Sequence, residues 1–401
     1  MKTGHSEKLS SVIVAVMCAA LLIMRAAPPA CAAEPRDDDE SVRKLLVGLD
    51  PNGSQARVAV PRLIAVISDD ELSDVVRRQT AMMLARIGDP AREAVPILIE
   101  LRSDKRSDES GVRFWATKSL GLFGSVAAGA VPILSKELAD AMHPAGERLL
   151  VADVLGQIGT GPAVQSLARE LLRPRDSSDS AETQLLEVAI DAIGQAGPEG
   201  IVALPALIRT AAHSRPDVRR KACRTIGRLG PRAELSLDPL LERIVLDDDP
   251  AVRDAAAAAM ARIGPAAVPV LVRLLDSGLP ELQWRAAQSL AQIGPRAEEA
   301  LNGLKQAAHA RSPRVRIECL DAIWRIGRSP GAVTEALIKE LLTDDRQIRR
   351  RASQLLIELT PLPASALEQL KFIAADDSRD DQRAAGYVLR ERLRRVSAAG
   401  D

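Results

Sequence analysis

The side chains that most often carry out catalysis or hold metals are few in this chain and lie far apart. Among 401 residues there are four histidines and four cysteines, and His143, His213 and His309 are separated by 70 and 96 residues. General acid–base and metal chemistry require two or three such groups within bonding distance of one another. The sequence also contains no Gly-x-Ser-x-Gly nucleophile elbow and no acidic loop with EF-hand spacing. We therefore expect no catalytic residues, no metal and no cofactor.

Arginine is the charged residue type that recurs at a regular spacing. One arginine stands eleven positions before the end of most repeating units, and we call this set the arginine ladder. Its members are Arg77, Arg113, Arg148, Arg219, Arg253, Arg316 and Arg349. Such a ladder could grip phosphate groups, or each guanidinium could bond an acidic residue or carbonyl of the neighbouring turn and tie the repeats together. Because bidentate arginine pairing is a common structural device, the structural role is favoured.

The ladder belongs to a repeat that ends in an apolar residue followed by glycine. The glycines are Gly88, Gly124, Gly159, Gly197, Gly230, Gly264, Gly294 and Gly327, and Thr360 continues the series. Their spacing of 30 to 38 residues fits two helices of about 12 residues and two short turns. A large apolar residue four positions before each glycine and a small one eight positions before it share one helical stripe. The second helix of each unit is therefore predicted to pack inward.

This repeat resembles a known family. The segment Asp249–Gly264, with Asp-Pro-Ala-Val-Arg at its start and Arg-Ile-Gly at its end, is similar to a HEAT repeat of the bacterial phycobilisome-lyase HEAT-like type. Pro216–Gly230 shows the same pattern, and the resemblance extends over residues 55–395. It implies an all-α, right-handed α-solenoid (superhelix) of about nine or ten helical hairpins. Repeats four and seven carry Leu186 and Gln283 in place of the ladder arginine, which predicts a change of curvature at both.

One catalytic precedent in related helical-repeat proteins can be weighed against these residues. Metalloenzymes of the deoxyhypusine hydroxylase type carry several His-Glu pairs that hold iron. The present sequence contains no His-Glu dipeptide, so that activity is not expected.

The first residues have the properties of an export signal. Lys2 and Lys8 precede an uncharged apolar run, Val12–Met24, which is too short to span a bilayer. Small residues at Ala30 and Ala32 fit a cleavage site. We expect a cleaved signal peptide and a periplasmic or extracellular protein, and a retained membrane anchor is the alternative. The predicted organisation is a signal peptide (1–32), an N-terminal linker and capping segment (33–54), the solenoid (55–395) and a C-terminal tail (396–401).

Charge and cysteine usage restrict the partners. The chain has 54 basic and 54 acidic residues, and removal of residues 1–32 takes away three basic residues and one acidic residue, leaving a net charge of −2. No overall basic field would then recruit nucleic acid or an anionic membrane surface. Cys223 and Cys319 would remain, three repeats apart, too far for a disulfide. Packing alone must hold the fold.

Binding residues are predicted on one stripe of the second helices, ten, six and two positions before each glycine. The candidates on or beside this stripe are Phe114, Leu122, Leu149, Arg220, Arg224, Arg228, Trp284, Ile317 and Trp324. Exposed apolar and arginine side chains often mark partner sites. Alternatively, curvature buries the apolar members between helices and the arginines form an ordinary solvated face.

From these residues we expect an exported scaffold or adaptor that binds a protein or peptide along its concave face. It would act as a monomer or as one subunit of a hetero-complex. The alternative is a non-catalytic accessory subunit of an enzyme complex, as the phycobilisome-lyase HEAT-like resemblance implies.

Overall fold

The computed structural model describes residues 38–103, 111–174, 179–359, 361–375 and 380–398. The predicted signal peptide lies outside these ranges, as do residues 33–37 and 399–401. Within the described ranges, every regular element is an α-helix or a 3-10 turn, and the helices form hairpins that stack side by side. The predicted all-α solenoid is confirmed.

Helix α1 (Asp39–Gly48) precedes ten hairpins in the described ranges and packs on the second helix of the first hairpin. The first helices are α2 (Ser54–Ser68), α4 (Val95–Ser103), α6 (Val131–Ala139), α8 (Gly161–Leu171), α10 (Leu204–Thr210), α12 (Leu237–Leu246), α14 (Val268–Leu275), α16 (Leu301–Ala307), α18 (Gly331–Leu341) and α20 (Ala364–Ala374). The second helices are α3 (Asp74–Ile87), α5 (Val112–Leu122), α7 (Ala145–Ile158), α9 (Ser180–Gln195), α11 (Pro216–Arg228), α13 (Pro250–Ile263), α15 (Pro280–Ile293), α17 (Pro313–Gly327), α19 (Arg346–Glu358) and α21 (Asp380–Ala398).

Local sequence signals begin and end these helices. The carboxylates of Asp179, Asp249 and Asp345 each accept hydrogen bonds from two backbone amides in the first turn of a second helix. Gly159 ends α7 in the left-handed region, at φ 64°, where a side chain would be strained. After most closing glycines a 3-10 turn leads to the next hairpin, with proline beside its start or end.

Some connections depart from this pattern. The connection from α17 to α18, ahead of a repeat with the ladder arginine, has no 3-10 turn, and two departures lie ahead of the repeats that lack this arginine. Only Gly159 and Thr160 separate α7 from α8, so repeat four begins without a 3-10 turn. Ahead of α14 the turn is reduced to Pro265–Ala267. Both departures shorten the link into the repeat concerned.

Neighbouring second helices approach closely because small residues line their contact. A glycine stands three positions before the closing glycine at Gly121, Gly156, Gly194 and Gly227. A Cβ on Gly156 would lie 2.6 Å from the Cβ and 2.7 Å from the Cα of Ala192 in the next hairpin, and a Cβ on Gly227 would lie 2.9 Å from the Cα of Ala259. The first helices of adjacent hairpins touch less extensively. The array therefore curves with its second helices on the inside, and we call their solvent-facing side the inner surface.

The arginine ladder lies where the first and second helices of a hairpin meet. The Nε of Arg148 donates to the carbonyl of Leu138 at the end of α6, at 3.1 Å. Its other nitrogens bond Glu170 at 2.8 Å and Glu182 at 2.5 Å, both in the next hairpin. One side chain thus satisfies a carbonyl that the helix end leaves free and links two repeats.

The other ladder members repeat this geometry with local differences. The carbonyls that accept their hydrogen bonds are those of Ile67 for Arg77, His213 and Ser214 for Arg219, Asp247 for Arg253, Ala310 for Arg316 and Thr343 for Arg349. Arg113 instead lies 3.5 Å from Glu137 and 3.4 Å from Glu147. Gln283, which replaces the arginine in repeat seven, donates to the carbonyl of Leu275 at 2.8 Å. The ladder is therefore built into the hairpin junctions.

Asp247, the partner of Arg219, is the most deeply buried of the carboxylates that the members of the ladder bond in the described ranges. The Nη2 of Arg219 donates to Oδ1 of Asp247 at 2.7 Å, and the Asp247 side chain is fully buried. Burial favours the neutral acid, but hydrogen bonds from Arg219 and from the Asp249 amide outweigh it, so the pKa of Asp247 lies below its usual value. The pair therefore stabilises the fold in the ionised state.

The close approach at Gly156 can be tested by adding one methyl group. Gly156→Ala would place its Cβ against the Ala192 backbone, which cannot move without shifting the next hairpin, and should destabilise the fold by about 1–3 kcal/mol. Gly146→Ala, on the same helix with open space around its Cβ, is the matched control and should leave the melting temperature unchanged or slightly raised. Equal melting temperatures for the two variants, measured by circular dichroism, would contradict the inferred packing.

The Arg219–Asp247 pair gives a pH-dependent prediction. Asp247→Asn removes the buried counter-charge of Arg219, leaves the guanidinium only the exposed carboxylate of Asp248, and should cost about 3 kcal/mol at pH 7. Because the folded pKa of Asp247 is lowered, its contribution is complete above the unfolded pKa and is lost as the pH falls through the folded one. The melting temperatures of wild type and variant should therefore converge in acid.

Asp248→Asn is the control for this variant. The Asp248 carboxylate bonds the same arginine, but its side chain is 91% exposed, so its removal should change little. If both asparagine variants melt alike at pH 7, burial is not what makes the Arg219–Asp247 pair strong.

Candidate functional site

Four apolar candidates lie on or beside the inner surface. Phe114 and Leu122 on α5 are 45% and 62% exposed, while Leu149 on α7 and Trp324 on α17 are half-buried. The Phe114 ring meets Trp115 edge-on, with 5.5 Å between the ring centroids. These side chains offer apolar area to a partner at two separate places along the array.

The predicted exposure of Trp284 and Ile317 is wrong. Their exposed fractions are 4% and 1%, because α17 of the next hairpin packs closely against α15. The guanidinium of Arg314, from α17, stacks 3.5 Å from the centroid of the Trp284 ring, and Arg285 covers the same ring at 4.3 Å. Trp284 and Ile317 therefore belong to the inter-repeat core and are not contact residues.

The basic helix α11 divides into a neutralised half and an unpaired half. Arg220 bonds Asp217 at 2.6 Å, and Lys221 bonds Glu187 at 3.1 Å and Asp191 at 2.9 Å. Arg224 and Arg228, one and two turns further along, are exposed and have no acidic partner among the described residues. Of the three arginines predicted on this helix, only Arg224 and Arg228 are not already bonded to an acidic side chain and can pair with an anionic ligand.

A third unpaired arginine lies across from them on α13. Arg262, Arg224 and Arg228 line a groove of about 390 Å³ between α11 and α13. We call these three residues the arginine triad. The floor of the groove is formed by Ala251, Ala255, Ala258 and Ala259. Arg262 occupies the same position as Arg228, two before the closing glycine, and could have been found by that rule, but it lies outside the basic run.

Small residues also hold two members of the triad in place. Arg228 lies across Gly194, with its Cδ 3.4 Å from where a Cβ would stand, and Arg262 lies across Gly227 at the same distance. The aliphatic stems rest on the preceding hairpin, and the Nη1 of Arg228 also lies over Gly194, 3.0 Å from where a Cβ would stand, while both side chains stay exposed to solvent. Asp254, the acidic residue of the groove, is bonded at 2.7 Å by Arg285.

A larger groove, of about 730 Å³, lies beside α15, α17 and α19 and is lined in part by Trp324. Four of its five charged side chains are already paired, since Arg325 bonds Asp321 at 2.6 Å and Glu358 at 3.0 Å, and Arg351 bonds Asp321 at 2.8 Å, while Arg328 has no acidic partner among the described residues. Here the charged groups serve the packing of consecutive helices. The two grooves are therefore chemically unlike.

The remaining reactive side chains are accounted for by local contacts. His143 bonds Glu147 at 3.1 Å, and the Nδ1 of His213 accepts from the amide of Arg215. Burial raises the pKa of Cys223 and of Cys319 to about 12, so both thiols stay protonated near neutral pH. Three or more metal-binding side chains are nowhere gathered in the described part of the chain. None of the helices described there has the length and apolar character to cross a bilayer.

The repeats match a known protein family. The profile of the HEAT repeats family matches residues 60–145, 175–261 and 237–311, more than half of the chain. No curated protein matches the sequence. The phycobilisome-lyase subtype stays a prediction.

Solved structures similar to this chain include large helical-repeat proteins. Importin beta, crystallised in a polyethylene glycol condition, is 14% identical over 89% of this chain and 57% of its own, with a TM-score of 0.47. The karyopherin Kap121p, bound to the extreme C-terminus of the protein phosphatase Cdc14p, is 13% identical over 83% and 45%, with a TM-score of 0.38. Human deoxyhypusine hydroxylase in complex with glycerol is 20% identical over 77% and 99%, with a TM-score of 0.28.

The chain spans about half the length of the karyopherins it matches. These likenesses concern the helical array only. The periodic glycines, the stacked hairpins and the profile matches agree, and the chain belongs to the HEAT-repeat family.

Proposed function

We propose that this protein is an exported scaffold or adaptor that binds a protein or peptide partner along its inner surface. The observation that supports this is a contrast within one molecule. The ladder arginines at the hairpin junctions bond neighbouring carbonyls and carboxylates. The arginine triad has no acidic partner among the described residues, and the Phe114 and Leu122 side chains expose apolar area to solvent. Unpaired arginines and exposed apolar side chains on one surface are the composition expected of a partner site.

Site-specific photo-crosslinking tests which surface meets the partner. Benzoylphenylalanine is placed on the inner surface at Leu122 or Ala258, and on exposed positions of the first helices at Val58 or Val245. The tagged chain is expressed in its own host and irradiated in intact cells, and adducts are identified by mass spectrometry. We expect Leu122 and Ala258 to form adducts with one common protein.

The outer positions are the matched control. Val58 and Val245 are apolar and exposed, but they lie on the first helices and should give no specific adduct. Adducts from the outer positions alone, or the same adducts from both surfaces, would contradict binding along the inner surface.

Export and cleavage of the signal peptide belong to the same proposal and can be tested by counting thiols. The native protein, isolated from the periplasmic or extracellular fraction, should react slowly with Ellman's reagent at pH 8, because Cys223 and Cys319 are buried and protonated. In guanidinium chloride and a reductant-free buffer, two thiols should appear if residues 1–32, which contain Cys18 and Cys31, are absent. Four thiols, or a protein found only inside the cell, would contradict the proposal.

A further inference from the structure

We propose that the groove between α11 and α13 binds a short, extended peptide segment with carboxylates at alternate positions. This inference rests on the proposed function and specifies the chemistry of its partner at one place on the inner surface. It follows from the arginine triad, the alanine floor and the pairing of the charged residues around them.

The first step is the unsatisfied charge. Arg224 and Arg228 are four residues apart on α11, so they share one face, where like charges destabilise a helix. Elsewhere on α11, Lys221 is held between Glu187 and Asp191, and Arg219 between Asp247 and Asp248. No described acidic side chain does the same for the arginine triad. The triad retains a repulsion that a bound anion would relieve.

The second step is spacing. Four residues of α-helix rise about 6 Å. Alternate residues of an extended peptide are about 6.6 Å apart and point to the same side. Carboxylates at positions i and i+2 of such a peptide would therefore meet Arg224 and Arg228 in register. Arg262, on the opposite wall, can take a carboxylate on the other edge of the peptide.

The third step distinguishes a peptide from a longer polyanion. The positive stretch is short, because the nearby cations are already paired, Lys221 with Glu187 and Asp191, and Arg285 with Asp254. A nucleic acid carries a charge at every phosphate, and most of its phosphates would lie beyond the triad, next to cations that are already neutralised. The alanine floor offers shallow apolar area that suits small side chains between the acidic ones. A short acidic peptide fits both features.

Fluorescence anisotropy on the purified mature chain tests the inference. The probe is a fluorescein-labelled ten-residue peptide in which Asp alternates with Ala and Leu. Its comparison ligands are the same peptide with Asn for every Asp, and a labelled ten-nucleotide single-stranded DNA. We expect the acidic peptide to bind at least tenfold more tightly than either comparison ligand, and to weaken as the salt concentration rises.

The decisive variant is Arg224→Gln, Arg228→Gln and Arg262→Gln together. The matched control is Arg57→Gln, Arg92→Gln and Arg296→Gln, which removes the same charge from exposed positions away from the groove. Peptide affinity should fall at least tenfold in the first and stay within twofold of wild type in the second, with unchanged melting temperatures in both. An equal loss in both triple variants, or DNA binding as tight as the peptide, would overturn the inference.

The same variants separate this inference from the proposed function. If the triad variant keeps the inner-surface adducts of Leu122 and Ala258 but the acidic peptide shows no preference for wild type, the acidic-segment inference fails and the scaffold stands. If adducts come from the outer positions alone, the proposed function fails, and binding of the acidic peptide to the groove is then judged by the anisotropy measurement alone.

Discussion

The close approach of neighbouring second helices is the constraint on which the rest of this structure depends. Glycine or alanine at the contact lets the backbone of one helix come within van der Waals distance of the next, as at Gly156 and Ala192. The first helices of adjacent hairpins touch less extensively and stand further apart on the outside. The sense of the curve, the inner surface and the position of every groove on it follow from this difference in spacing.

The periodic features were predictable from the sequence because each depends on residues within one hairpin. Closing glycines, aspartate caps and large–small stripes are local signals, and they predicted the hairpins and their second-helix cores. The ladder arginine could be found by its position, but its acidic partners could not. Glu170 and Glu340 stand in the next hairpin, at 22 and 24 residues from Arg148 and Arg316, where no repeat rule places them.

The errors at Trp284 and Ile317 have a related cause. Whether the side chain ten positions before the closing glycine is exposed depends on which side chains of the next hairpin pack over it. On α5 this residue is Phe114, which is exposed. On α15 it is Trp284, whose indole ring is covered by the guanidinium of Arg314 from α17. A periodicity computed along one helix cannot distinguish these cases, because the covering group belongs to a different repeat.

The hydrogen bonds of Arg148 and Arg219 join each side chain to its own hairpin and to the next one. Cooperativity in such an array is a nearest-neighbour property, so each hairpin is stabilised only through the hairpins beside it. The two hairpins that form the groove between α11 and α13 have a described hairpin on either side. Separating the two walls of the groove therefore requires the loss of an interface that both flanking hairpins reinforce.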